Sequence, residues 1–289
     1  MAPSPNAPSP GPVPPAAPAP PGPSGGSAAS GRSGAPADSA AALLSGVADG
    51  IATVTIHHPA KRNAMTAAMW RELPVLLERL AADPSVRALV LTGSGGTFCA
   101  GADIGELGTA GQDDGGPQSL AAAAEEALAA FPKPTLAAVR GYCVGGGCQL
   151  AAACDLRFAA EGSSFGVTPA RLGIVYPATA TRRLTRLVGP ATTKYLLFSA
   201  ELIGAERALR TGLIDELLSA DALDARVAEF TRVLASRSLL TQAAAKEFAN
   251  GAEPARAEHW AEQARGSGDP AEGVAAFLER RAPRFTWAG

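Results

Sequence analysis

The alternation of apolar and polar residues is clearest at Ile51-Ala52-Thr53-Val54-Thr55-Ile56-His57. A period of two predicts a half-buried strand, which His58-Pro59 ends. Thr66 is placed to cap a helix running to about Ala82, with Met69, Leu73, Leu76, Leu77 and Leu80 on one face. Pro74 lies inside it and predicts a kink. Asp83-Pro84 stops it. Val86 to Thr92 is almost continuously apolar, as expected of a strand buried on both faces. Thr135 to Val139 reads as a third strand and Leu156 to Ala159 as a fourth. Strands separated by helices predict an α/β fold with a mostly parallel, layered core. From about Gly189 the pattern turns helical, over 191–199, 205–210, 221–237, 241–250, 254–265 and 270–281.

Before Leu43 there is no such pattern. Residues 1 to about 40 hold 12 of the 24 prolines and, ahead of Asp38, a single charge, Arg32. Such a segment cannot bury a core, so 1–42 is expected to be a disordered tail. It has no basic stretch followed by an apolar one, unlike a secretory signal. Ordered structure divides into a core over 43–204 and a helical region over 205–289.

Of the 289 residues, 47% are hydrophobic and 18% charged, as in globular proteins that fold in water. A net charge of −2 gives no general attraction to nucleic acid or an anionic membrane. The apolar runs are too short to span a bilayer. Cys99, Cys143, Cys148 and Cys154 form no CxxC pair, and His57, His58 and His259 supply no metal set. Reduced thiols in a cytoplasmic protein are the expectation.

Two Gly-rich turns carry the candidate chemistry. Gly141-Tyr142-Cys143-Val144-Gly145-Gly146-Gly147-Cys148-Gln149 follows the third strand and opens an Ala-rich helix. Backbone N–H groups at a helix start attract an anion, and glycine admits its close approach. Phe98-Cys99-Ala100-Gly101-Ala102-Asp103-Ile104 follows the second strand. Asp103 is placed to cap a short helix there, and Gly108 to Gln118 reads as a mobile loop. Two such turns after neighbouring strands can aim two N–H groups at one oxygen, which is how main chain builds an oxyanion hole.

With both turns in place, the chain resembles the crotonase (enoyl-CoA hydratase/isomerase) superfamily. The matching stretches are Pro59-Ala-Lys-Arg-Asn-Ala-Met65, Phe98 to Ile104, Pro132-Lys-Pro134, Gly141 to Gly147, Cys154-Asp155, Arg183 to Gly189 and Glu272 to Arg281. The resemblance implies a spiral of ββα units with a C-terminal helical oligomerisation region, and a homotrimer or dimer of trimers. It implies an acyl-CoA thioester substrate, with no cofactor beyond the CoA that substrate carries. The N–H groups of Ala102 and Gly146 fall at the family's oxyanion-hole positions. Ala64 and Ala100 fall where its backbone holds adenine and pantetheine. Lys61, Arg62, Arg280 and Arg281 are candidates for the CoA phosphates.

The sequence departs from the family's hydratases at both glutamates. One position holds Gln149, which cannot exchange a proton at neutral pH, and the other holds Pro169. The segment Thr168 to Tyr176 resembles that of methylmalonyl-CoA decarboxylases, in which a tyrosine at the Tyr176 position faces the active site. Those enzymes, however, carry histidine at the Ala102 position and glutamate at the Gln149 position. Decarboxylation needs the oxyanion hole but no strong base, and a neutral pocket formed by Gln149, Tyr176 and Arg171 suits it. Decarboxylation or double-bond isomerisation therefore ranks above hydration on sequence. The alternatives are a hydratase using other acids, such as Glu106, Asp113 or Asp114, and an acyl-CoA-binding protein without turnover.

Overall fold

A computed structural model describes residues 40–107 and 116–289, with side chains for all but 106, 107 and 116–118. The Pro-rich segment up to 39 and residues 108–115 of the loop expected over 108–118 lie outside the described residues; its last part, 116–118, is helical rather than loop. A hairpin opens the fold: β1 (Ala42–Ala48) pairs antiparallel with β2 (Ile51–His57). Parallel strands then accrete on β2. β3 (Ala88–Gly93), β4 (Thr135–Val139), β6 (Leu156–Ala160) and β9 (Glu216–Leu218) give a six-stranded sheet of order β1-β2-β3-β4-β6-β9. β4 is buried along its whole length, as an apolar strand covered on both faces must be.

A second sheet consists of β5 (Tyr142–Val144), β7 (Ser164–Gly166) and β8 (Ile203–Gly204). The sequence pattern did not predict it, because strands of two or three residues are too short to show alternation. Isolated bridges between Cys99 and Cys143 and between Met65 and Ala102 extend this layer. Each repeat thus sends one strand into the large sheet, a short extended segment into the second layer, and then a helix. That is the expected spiral of ββα units.

Thr66 caps α1 (Ala67–Ala82) by accepting the Met69 N–H at 3.2 Å. The predicted face of α1, with Trp70 added, is buried in the main core. Pro74 does not break α1, which keeps helical dihedrals throughout. The break comes instead in α5 (Ala178–Ser199) at Gly189, with φ 74° and ψ 165°, directly before Pro190. α5 begins thirteen residues earlier than the pattern predicted, because Thr and Arg mask its first half. β3 starts at Ala88 rather than Val86, whose N–H closes a turn onto the Asp83 carbonyl at 3.1 Å.

The remaining helices are α2 (Ile104–Leu107), α3 (Gly116–Ala129), α4 (Gly146–Ala153), α6 (Ala205–Thr211), α7 (Leu223–Ala235), α8 (Leu239–Ala249), α9 (Arg256–Ser267) and α10 (Asp269–Glu279). Among the described residues no helix is long and apolar enough to cross a membrane. Lys246 of α8 ties the helical region to the core: its Nζ lies 2.9 Å from Asp155 Oδ2, which also accepts the Thr135 N–H at 2.7 Å.

Candidate active site

The first Gly-rich turn becomes the junction of β5 and α4. Gly145 caps α4 with φ 54° and ψ −121°, a left-handed conformation that side chains disfavour. Its N–H is held by the Gly166 carbonyl at 2.8 Å and its carbonyl accepts the Gln149 N–H at 3.1 Å. Gly146 is the first helical residue, so its own N–H has no intrahelical acceptor. Gly147 is forced by packing: a Cβ there would lie 2.4 Å from the Cys99 carbonyl oxygen.

The second turn lies alongside. Met65 N–H bonds to the Gly101 carbonyl at 2.8 Å and Asp103 N–H to the Met65 carbonyl at 2.9 Å. Because extended backbone alternates its N–H directions, Ala102 N–H points away from that ladder. It points from the same small patch of main chain as Gly146. A Cβ built on Gly146 would lie 3.8 Å from Ala102 N, and one on Gly101 would lie 3.6 Å from Gly146 N. The two expected donors are therefore brought together.

The candidate CoA residues divide into two groups. Lys61 Nζ lies 2.5 Å from Asp103 Oδ2, and this hydrogen bond holds the carboxylate below its usual range. Asp103 also accepts the Gly105 N–H at 3.1 Å, the expected capping of α2. Arg62 lies over the Tyr142 ring, 4.9 Å from its centroid, and its carbonyl accepts the Ala100 N–H at 3.0 Å. The Ala64 carbonyl accepts from His58 Nδ1 at 2.8 Å. Asn63, fully buried, gives its amide to the Ser94 and Thr97 carbonyls and fixes the whole segment against the β3 turn. Arg280 and Arg281 belong to the second group, at the far end of α10. Arg280 is the left-handed C-cap, and Arg281 is engaged by Glu272 and Glu279.

Gln149 stands three residues, or about one turn, after Gly146, on the same flank of α4. Pro169 is buried at the start of a 3-10 turn and offers no side-chain chemistry, while Arg171 is exposed. The Tyr176 hydroxyl donates to the Gly145 carbonyl at 3.3 Å, and burial pushes its pKa up.

The pocket around Gln149 is not neutral, which corrects the sequence expectation. Gln149 Nε2 donates to Glu125 Oε2 at 3.2 Å. Glu125 comes from α3 and is 1% exposed. Burial pushes its pKa up to about 7, against the pull of Arg183, which it pairs with; neighbouring Glu126 adds to the rise. Arg183 also reaches Glu126 at 3.1 Å. Sequence reading overlooked Glu125 in an Ala-rich stretch. A signal existed, however: Ala121, Ala124, Glu125 and Leu128 have the spacing of an inward helix face, and a carboxylate there has to be paired or functional.

Comparison with known proteins gives the family. The enoyl-CoA hydratase/isomerase family profile matches residues 46–287. A "Probable enoyl-CoA hydratase echA8" of Mycobacterium leprae is 35% identical, over 82% of this chain and 94% of its own. The 2,3-dehydroadipyl-CoA hydratase of Escherichia coli is 34% identical, over 80% and 93%. A solved member of the enoyl-CoA hydratase/isomerase family superposes with a TM-score of 0.80 at 38% identity, covering 86% of this chain and 97% of that one.

Proposed function

Because this chain belongs to the enoyl-CoA hydratase/isomerase family, we propose that it holds an acyl-CoA thioester with its carbonyl oxygen between the N–H groups of Ala102 and Gly146, and adds water to a 2-enoyl-CoA. The observation that carries this reading is the convergence of those two backbone nitrogens at the α4 start. Attack of water on C3 sends an electron pair to the thioester oxygen. A fixed pair of donors favours that enolate over the ground state, each worth roughly 3 kcal/mol. Relatives named as hydratases support water addition. Arg183, the cation at this site, is already engaged by Glu125 and Glu126, which argues against its holding the carboxylate of a malonyl-type substrate. Decarboxylation therefore ranks behind hydration, with isomerisation between them. Since Gln149 and Pro169 cannot exchange protons, the hydratase uses another acid.

The test is a mixed panel of crotonyl-, 3-enoyl-, malonyl-, methylmalonyl- and ethylmalonyl-CoA followed by mass over time. Gain of water by crotonyl-CoA is the expected result. Loss of CO₂ would mean a decarboxylase, a shift in ultraviolet absorbance without mass change an isomerase, and binding without change a protein that does not turn over its ligand. Assembly follows the same reading. Val274, Phe277 and Leu278 form an exposed apolar stripe on α10, which supports the trimer the family resemblance implies. Light scattering should give the mass of a trimer or its dimer.

A further inference from the structure

We propose that Glu125 is the catalytic residue that moves the proton in this enzyme, from a position on α3 instead of the two positions where the family's hydratases carry glutamate. This rests on the reading of the chain as an acyl-CoA enzyme.

The geometry supplies three reasons. Glu125 is the carboxylate that touches Gln149, and Gln149 stands one turn from the oxyanion donor Gly146. Replacing glutamate by glutamine on α4 therefore did not leave the site without an acid; a carboxylate approaches the same place from the facing helix. Second, the contact orients both groups. The Gln149 amide N–H is given to Glu125, so its oxygen is the end available to accept from a water. Third, Glu125 is too well buried for a solvated surface charge, at 1% exposure. A carboxylate in that position retains a function or a partner.

Its surroundings set its protonation. Arg183 of α5 faces it and favours the charged form. Glu126 on its own helix opposes that form, and burial opposes it most. Gln149 of α4 and the Tyr176 hydroxyl are the uncharged polar groups beside it. The balance leaves Glu125 near pH 7, so both of its forms are populated under ordinary conditions.

One group can then complete the cycle. The Glu125 carboxylate takes a proton from the water as its oxygen bonds to C3, and the C2–C3 π pair moves to the thioester oxygen. The protonated Glu125 then gives that same proton to C2 as the enolate pair returns. The product has gained one H and one OH, and the carboxylate is restored. Both additions occur on the face that Glu125 occupies, so the addition is syn.

The experiment compares wild type, Glu125→Gln, Glu126→Gln and the exchange variant Glu125→Gln/Gln149→Glu in hydration of crotonyl-CoA. Glu125→Gln should lower kcat by roughly 10²- to 10⁴-fold with acyl-CoA affinity retained. Glu126→Gln removes a like charge that raises the Glu125 pKa, so it should move the pH limb downward while leaving the plateau kcat within about twofold. The exchange variant keeps one carboxylate and one amide in contact and should recover at least about tenfold over the single variant. Wild-type kcat/KM should rise to a plateau through a pH of about 7, and that limb should vanish in Glu125→Gln. Undiminished kcat in Glu125→Gln overturns the proposal. So does an exchange variant as inactive as the single one, which would make Glu125 a packing residue. If wild type hydrates nothing, exchange of butyryl-CoA α-protons in D₂O separates the two claims. Exchange that disappears in Glu125→Gln keeps Glu125 as the base and removes only the hydratase reading; absence of exchange in wild type overturns both.

Discussion

The indole of Trp70 lies so close beneath Gly146 that a methyl group on Gly146 would come within 2.9 Å of the Trp70 Cζ2 atom. Trp70, 1% exposed, is anchored in the α1 face that the hydrophobic pattern predicts. The core thus fixes the height at which the first turn of α4 sits, and with it the direction of the Gly146 N–H.

Gly146→Ala should therefore cost activity more than stability. Overpacking against one ring edge destabilises by about 1–3 kcal/mol. Displacing the donor should lower kcat by roughly 10²- to 10³-fold. Gly147→Ala should reverse the order of severity. Its new Cβ would meet the Cys99 carbonyl, a backbone atom with no rotamer to escape into. Thermal melting of both variants beside their kcat values checks the contrast: Gly147→Ala should show the larger fall in Tm.

Tyr176→Phe removes the hydroxyl that donates to the Gly145 carbonyl. The residue braces the turn from outside, so the expected loss is about 1 kcal/mol of stability and no more than about tenfold in kcat. A loss beyond a hundredfold, with Tm unchanged, would give the hydroxyl a direct part in the chemistry.

Glu125 gives stability a pH dependence of definite sign. Its folded pKa of about 7 lies above the ordinary 4.5, so the folded state holds the proton more tightly. Its favourable contribution is complete below about pH 4.5 and is lost as pH rises to about 7. The span corresponds to roughly 3 kcal/mol. Urea unfolding at pH 5 and pH 8 should show wild type losing roughly 2–3 kcal/mol more than Glu125→Gln between the two.

Asp155→Asn tests the tie between the core and the helical region. Asp155 Oδ2 accepts from Thr135 N, Thr135 Oγ1 and Lys246 Nζ. Losing the charge leaves Lys246, 10% exposed, facing a neutral amide. The expected destabilisation is about 1–3 kcal/mol, read from denaturant midpoints.

These relationships differ in how far the sequence discloses them. β2, β4 and the buried face of α1 are legible because each keeps its own period over at least five residues. The second sheet is not legible, since β8 has two residues and β5 and β7 three, and their pairing is long-range. The closeness of the two turns proposed as an oxyanion pair is legible through their glycines and small residues, as only they let two turns approach so closely. Glu125 is hidden for the opposite reason. It precedes Pro132-Lys-Pro134, a stretch without an acid, and lies 24 residues before its partner Gln149, and only the packing of α3 on α4 brings the two together.

The central claim is that the Gly146 N–H polarises a thioester carbonyl. Because this N–H has no intrahelical acceptor at the first position of α4, replacing the Gly146 amide by an ester deletes the donor, and within the fold it weakens only the Gly145 carbonyl as acceptor for the Gln149 N–H and the Tyr176 hydroxyl. The measurement is kcat for crotonyl-CoA hydration by that ester variant. The account predicts a fall of roughly 10²- to 10³-fold, with a loss of stability of only about 1 kcal/mol from the weakened Gly145 carbonyl. A kcat equal to that of the wild type would contradict it.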